Sequence, residues 1–334
     1  MRAVARREPS IAAVLAMLIV SACGHHDEPA PAPAPVAPTP RPDAASPPPL
    51  DAAPAKPAIA RRCTLGGDPL ADDCKSDNSG IAFDHAGTLY VVAAHDIRRY
   101  KRTGDCNFEL AGAPIGLPPE TKRLQALGKG PIYMRSGGPV WHLASAGDAI
   151  YIVDYLAGMF RIDRGKAEPA CTDEFGYDSV AVLGKRVVIA RKGIEQLALA
   201  GRGHCRASSA NIDAKASGKV FAVRDTLYAG FVDVARYDGA TKVPLGETIH
   251  ACSVVGVVPC GSGTCVVDNN CMKLIELAAN GTLAHTLDDV ALFATRPYAL
   301  ASATAYGDSV WLLAKHRDRD TCETAVYEVP FSSL

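Results

Sequence analysis

Five stretches of this 334-residue chain carry residue types that do chemistry. "PCGSGTC", Pro259 to Cys265, sets a serine among glycines. It lacks the G-x-S-x-G spacing that turns a strand into a helix and exposes a nucleophile, so it reads as a hairpin turn. Cys252, Cys260, Cys265 and Cys271 cluster around it without a C-x-x-C pair, which favours disulfides over a zinc site. "HRDRDTC", His316 to Cys322, has two acids one residue apart, but neither the glycine nor the distal glutamate of a calcium loop. His25-His26-Asp27-Glu28 offers metal-ligating side chains with nothing nearby to fix their geometry. The fifth stretch is "SGGPVW", Ser136 to Trp141.

"SGGPVW" is similar to the "GEGPVW" signature of the gluconolactonase and regucalcin propellers, whose glutamate binds a metal. Gly137 stands at that position here, and glycine offers no side-chain oxygen to a cation. The stretch then reads as a glycine-rich entry into a strand, with Trp141 packed between sheets. No catalytic residue, metal site or cofactor is assigned from these motifs, and the chain is not read as an enzyme.

The elements that would position any site come from a repeated phrase. "GIAFDHAGTLYVVAAHDIRRYKRTGDC", Gly80 to Cys106, runs as strand a, turn, strand b, polar break, strand c, turn and the start of strand d. Six copies of this pattern follow one another. Their b strands align at Tyr90, Tyr151, Val188, Tyr228, Val266 and Trp311, in steps of 61, 37, 40, 38 and 45 residues. All but the first step match a four-stranded propeller blade of about 40–50 residues. A sheet with two apolar faces cannot stand alone, and radial stacking buries both. Between copies there is no long helical pattern; "PETKRLQAL", Pro119 to Leu127, is the one short helix expected.

The sixth copy stops at strand c, in "AVYEVPFSSL", while "ARRCTLGG", Ala60 to Gly67, precedes the first. The expected fold is therefore an all-β, six-bladed β-propeller closed by an N-terminal strand in the last blade, which removes an exposed edge. "GIAFDHAGTLYVVAAHDIRRY" resembles an NHL-type repeat, and six such units resemble the NHL and TolB-like propellers. Fold of this kind does not imply function.

The first residues carry an export signal. Arg2, Arg6 and Arg7 precede the apolar stretch Ile11 to Val20, which is too short for a span of about 20 residues. It ends in "VSAC", which resembles the bacterial lipobox, so residues 1–22 read as a lipoprotein signal peptide and Cys23 as the lipidated residue. Gly24 after that cysteine resembles outer-membrane sorting. Residues 23–60 are dominated by Pro and Ala and are expected to form a disordered tether of polyproline character, reaching on the order of 100 Å. Residues 61–334 form the propeller domain.

With 35 Lys and Arg against 36 Asp and Glu, and no basic stripe, nucleic acid is not expected as a partner. An exported domain with ten cysteines beyond Cys23 is expected to hold disulfides, Cys260 with Cys265 first, across a hairpin turn. Cys63, Cys106, Cys171 and Cys205 read as one repeated d-strand position, too far apart to bond each other.

Strands in a blade alternate in direction, so the b–c and d–a connections share one face, at the channel mouth. The candidate ligand residues on that face are His95, Asp154, Tyr155, Arg191, Asp233, Asp268, Asn269, Lys315 and His316. The long first step adds an insertion, Ala111 to Gly138, with Lys122, Arg123, Tyr133 and Arg135. Three readings follow. One is a membrane-anchored lipoprotein that binds an envelope protein, peptide or anionic glycan on this face without catalysis. The others are a lactonase-type hydrolase with a displaced metal site and a structural envelope scaffold.

Overall fold

The structure is a computed structural model. It describes residues 59–67, 70–72, 79–93, 96–116, 141–154, 158–172, 176–191, 193–201, 204–216, 218–245, 251–318 and 321–334. The export signal, Cys23, residues 24–58 of the expected tether and the helix expected at Pro119 to Leu127 lie outside them; the last two residues assigned to the tether, Ile59 and Ala60, instead pair with Ala291 and Leu292 carbonyls against the propeller.

Three short strands open the described chain: β1 (Arg61–Arg62), β2 (Thr64–Leu65) and β3 (Ala71–Asp72). Blade 1 is β4 (Ser79–Phe83), β5 (Leu89–Ala93), β6 (Asp96–Gly104) and β7 (Asn107–Leu110). Blade 2 is β8 (Trp141–Ala146), β9 (Ala149–Asp154), β10 (Gly158–Asp163) and β11 (Lys166–Cys171). Blade 3 is β12 (Ser179–Leu183), β13 (Arg186–Ala190), β14 (Ile194–Gly201) and β15 (His204–Asp213). Blade 4 is β16 (Lys219–Val223), β17 (Thr226–Gly230), β18 (Val234–Asp238) and β19 (Thr241–Pro244). Blade 5 is β20 (Val254–Cys260), β21 (Gly263–Asp268), β22 (Lys273–Leu277) and β23 (Leu283–Leu287). A one-turn helix, α1 (Asp289–Leu292), leads to blade 6: β24 (Ala299–Tyr306), β25 (Ser309–Asp318) and β26 (Thr321–Pro330).

The innermost strands β4, β8, β12, β16, β20 and β24 touch in that order, and β24 returns to β4, so the ring is closed. All six aligned b-strand residues fall on b strands, including Trp311 on β25. Closure occurs where the missing d strand implied it. β1 pairs antiparallel with β26, Arg61 opposite Glu328 and Arg62 opposite Tyr327. β3 covers the rest of that edge at Cys322 and Glu323. After Cys63 the chain crosses to blade 1, where β2 runs parallel to β7.

The tight turns explain why these sequences form blades. In blades 2, 3, 5 and 6 the a–b turn opens with a glycine at positive φ: Gly147, Gly184, Gly261 and Gly307. Blade 4 has Arg224 there, at φ 54°, a conformation that a side chain disfavours. Its guanidinium donates to the carbonyls of Gly261 at 2.6 Å and Ser262 at 2.9 Å, tying blade 4 to the turn of blade 5.

Each of the six apolar clusters lies between two neighbouring blades. Phe83, Leu89 and Val91 of blade 1 meet Trp311, Leu313 and Val326 of blade 6, while Ala82, Tyr90 and Val92 meet Ile150, Ile152 and Phe160 of blade 2. This is the period-2 alternation of a strand buried on both faces. At the closing seam Trp311 packs at 5.0 Å from Phe83 and 5.6 Å from Phe108, and Arg102 lies 5.5 Å from its ring centre.

Disulfides link Cys63–Cys106, Cys171–Cys205, Cys252–Cys271 and Cys260–Cys265; Cys322 is also disulfide-bonded. The Cys260–Cys265 pair expected across the hairpin is present, with Cα atoms 5.3 Å apart. The reading of four equivalent, unbonded cysteines is corrected. Cys63 sits in the crossing between β1 and β2, against the c–d turn that holds Cys106, with Cα atoms 4.7 Å apart. Cys171 ends β11 and does not open it, and it meets Cys205 of the next blade at a Cα separation of 5.2 Å.

Candidate functional site at the channel mouth

Inner strands present one ladder edge to the channel, so half of their N–H groups find no partner in their own sheet. At the mouth, side chains of the preceding blade accept from them. Val180 N–H donates to His142 Nδ1 at 3.3 Å, Val220 N–H to Ser179 Oγ at 2.7 Å, and Leu300 N–H to Asn269 Oδ1 at 2.8 Å. Blades 2, 3 and 5 thereby hold the entry of the next inner strand.

The candidate face residues divide by what occupies them. Asp268 is fully buried at the end of β21, and its carboxylate accepts from Cys252 N–H at 2.8 Å and Ser253 N–H at 2.9 Å. Asn269 serves the latch to Leu300. Asp154 is buried at the end of β9, opposite Trp141. Arg191 reaches Glu195 at 3.2 Å and lies 5.8 Å from the Tyr177 ring centre. Lys315 is buried, and its carbonyl accepts from Tyr298 N–H. His316 Nε2 is 2.8 Å from the Tyr327 hydroxyl, beside the closing strand; burial and Arg62 lower its pKa. Asp233 is exposed. His95, Lys122, Arg123, Tyr133, Arg135 and Tyr155 lie outside the described residues.

Four further residues stand around the mouth between blades 2, 3 and 4: His142, Asp178, Ser179 and Lys219. The position of each beside an inner-strand entry was the available sequence signal, and a strand reading that concentrates on b–c corners passes over it. His142 is 8% exposed, and burial lowers its pKa to about 3, with Lys219 acting in the same direction. The imidazole is therefore neutral at pH 7. Burial raises the Asp178 carboxyl to about 6, and Lys219 opposes that rise. Lys219 thus acts electrostatically on both groups.

The channel encloses a cavity of about 260 Å³, with Ala144, Ala181, Ala222 and Ala303 among its walls. Two groups of potential metal-ligating atoms occur among the described residues: Cys63, Cys106 and Glu328, and Cys252, Asp268 and Cys271. Both include a bonded cystine, whose sulfurs are not thiolates.

The arrangement defines a six-bladed β-propeller with a small-residue channel and a mouth latched by side chains. No protein-family model matches the chain, and no curated protein matches its sequence. Solved propellers do. A structural-genomics protein of unknown function from Bacteroides thetaiotaomicron aligns over 80% of this chain and 76% of its own, at 12% identity and TM-score 0.53. Virginiamycin B lyase from Staphylococcus aureus aligns over 76% and 86%, at 12% identity and TM-score 0.44. Regucalcin from Agrobacterium tumefaciens aligns over 80% and 97%, at 14% identity and TM-score 0.44. At such identities the likeness is one of fold.

Proposed function

We propose that this chain is an exported lipoprotein, anchored through Cys23 to the cell envelope, whose propeller binds a protein or peptide partner on the channel-mouth face without catalysis. One observation carries the binding reading. Among the described residues, seven large apolar side chains are exposed, and four of them, Phe231, Val232, Val290 and Tyr298, sit on mouth-face connections of blades 4 to 6. Phe231 and Val232 form the b–c corner of blade 4, and Val290 and Tyr298 lie on the approach to β24. Apolar groups gathered on one face mark interaction surfaces. Arg317 lies 5.6 Å from the Tyr298 ring centre and adds a cation to the same rim. The address rests on the charged, apolar and "VSAC" segments in order. The non-catalytic reading rests on the Asp268 carboxylate and on Asn269 Oδ1, which accept from backbone N–H groups.

Site-specific photo-crosslinking in cells tests the face. A photoreactive residue at Phe231 or Tyr298 should capture one discrete protein, while the same residue at Leu283, exposed on the outer strand β23, should not. Equal capture from all three positions, capture from none, or protection of the rim by a glycan alone would overturn the reading. Fractionation of a Cys23→Ser variant tests the anchor: it should leave the membrane fraction.

A further inference from the structure

We propose that the Cys252–Cys271 cystine at the channel mouth is a reducible form of a metal site, in which both sulfurs, as thiolates, and the Asp268 carboxylate bind one zinc-like divalent cation. Access singles out this bond. Neither Cys252 nor Cys271 is buried, whereas every other disulfide-bonded cysteine among the described residues is buried. Thiol–disulfide exchange requires an attacking thiolate to reach a sulfur, so the accessible cystine is reduced first. A dithiol supplies the two electrons: it attacks one sulfur, then closes into its own disulfide, and Cys252 and Cys271 become thiols. Each thiol gives its proton to solvent when the cation binds.

The three ligand atoms already lie within 4.8 Å of one another. They stay close after the bond opens, because backbone hydrogen bonds also hold the two segments. Cys252 lies on the d–a connection into β20, and Cys271 on the b–c corner after β21. Asp268 ends β21 and accepts from Cys252 N–H at 2.8 Å and Ser253 N–H at 2.9 Å, so the carboxylate itself fixes the segment that carries one sulfur. Asn269 N–H donates to the Ser253 carbonyl at 2.8 Å, and Met272 N–H to the Asn269 carbonyl at 3.1 Å, closing the turn that carries the other. On either side of Cys252, Ala251 and Val254 N–H groups donate to the Val232 and Phe231 carbonyls. A carboxylate has about four lone-pair sites, so two N–H bonds leave Asp268 able to bind a cation.

The donor set selects the ion. Two thiolates and one carboxylate suit a tetrahedral, borderline-soft ion such as Zn²⁺, with water in the fourth position. Magnesium and calcium favour several oxygens over sulfur. The other group, Cys63, Cys106 and Glu328, does not qualify: its cysteines are buried, and Glu328 is ion-paired with Arg61 and Arg102. The site adjoins the Phe231–Val232 corner but does not rest on a protein partner there, so either reading can fail alone.

Full-chain protein is treated anaerobically with a limiting dithiol, freed of reductant, and divided between thiol mapping and titration with Co²⁺, Zn²⁺ and Mg²⁺. Alkylation should label Cys252 and Cys271 before any of the buried cysteines. The reduced protein should bind one Co²⁺ with thiolate-to-metal charge-transfer absorption, which Zn²⁺ abolishes and Mg²⁺ does not; the oxidised protein should show none. Asp268→Asn, which keeps an oxygen for one of the N–H groups, should open as readily and bind Zn²⁺ at least about tenfold more weakly, since even residues that only orient a ligand cost about that much. Cys252→Ser with Cys271→Ser should lose the absorption, and Cys260→Ala with Cys265→Ala should keep it. Any of four results would overturn the proposal: a buried cystine that opens first, no Co²⁺–thiolate absorption after Cys252–Cys271 opens, the parent's absorption in the Cys252→Ser, Cys271→Ser variant, or unchanged Zn²⁺ affinity in Asp268→Asn.

Discussion

The contributions of His142 and Asp178 to the pH dependence of stability should nearly cancel in one window, by opposing each other. The sign for each follows from its two pKa values. Asp178 is raised in the fold, from 3.8 to about 6, so its contribution is fully present below pH 3.8 and is lost as pH rises through 6. His142 is lowered in the fold, from 6.5 to about 3, so its contribution is present above pH 6.5 and is lost as pH falls toward 3. Between about pH 4 and 6 the native state holds its proton on Asp178 and the unfolded chain holds one on His142. Proton counts then match, and the two slopes cancel. At about 1.4 kcal/mol per pH unit, Asp178 alone stabilises by up to about 3 kcal/mol on going from pH 7 to 4, and partial exposure reduces this to about 1–3. His142 alone destabilises by about 3 kcal/mol over the same range. Asp178→Asn should therefore lose stability toward pH 4 relative to the parent, and His142→Asn should gain it. The assay is urea unfolding with disulfides intact, at pH 4, 5, 6 and 7. Other carboxylates, such as Asp105 beside Arg61, slope alike in all three proteins and drop out of the comparison. The reasoning is refuted if the two variants run parallel to the parent across this range.

Two further outcomes are expected. A Cβ placed at Gly256 would sit 2.6 Å from Ala303 Cβ, so Gly256→Ala should cost about 1–3 kcal/mol by wedging β20 from β24; Ala303→Gly in the same chain should recover part of it, and a urea double-mutant cycle reads the coupling. Replacing Cys63 and Cys106 together by Ser should cost about 2–4 kcal/mol for a loop separation of 43 residues and raise protease sensitivity at the blade 6–blade 1 seam, where an unchanged melt would show that β1 and β3 close the ring unaided.

Much of the architecture was legible because it repeats. Tyr90, Tyr151, Val188, Tyr228, Val266 and Trp311 share a register that only a set of equivalent strands explains. The hairpin cystine was legible because Cys260 and Cys265 flank a turn whose ends must meet. The cross-blade cystines were not, since sequence spacing measures position within a blade and says nothing of which neighbouring blade a turn leans on. "PAC" looks like an opening to strand d, yet Arg164-Gly165, both at positive φ, make the c–d turn five residues earlier. Polar residues at b–c corners were easy to read as available to ligands. Asp268 and Asn269 show why that inference is incomplete: a buried inner edge needs acceptors, and the corners supply them.

The same accounting explains where function can reside in this molecule. Latches at His142, Ser179 and Asn269 join successive blades through single hydrogen bonds, so groups at the mouth are fixed by the ring and not by their own loops. His142 is unlike the other two because its acceptor belongs to an aromatic ring, which packs against Phe221. Ser179 Oγ, Asn269 Oδ1 and His142 Nδ1 each accept from a backbone N–H of the next inner strand on the mouth side. A latch made by serine or asparagine would have held blade 3 as well. The choice of histidine at that place puts a buried aromatic ring against Phe221, held by the blade interface that it closes.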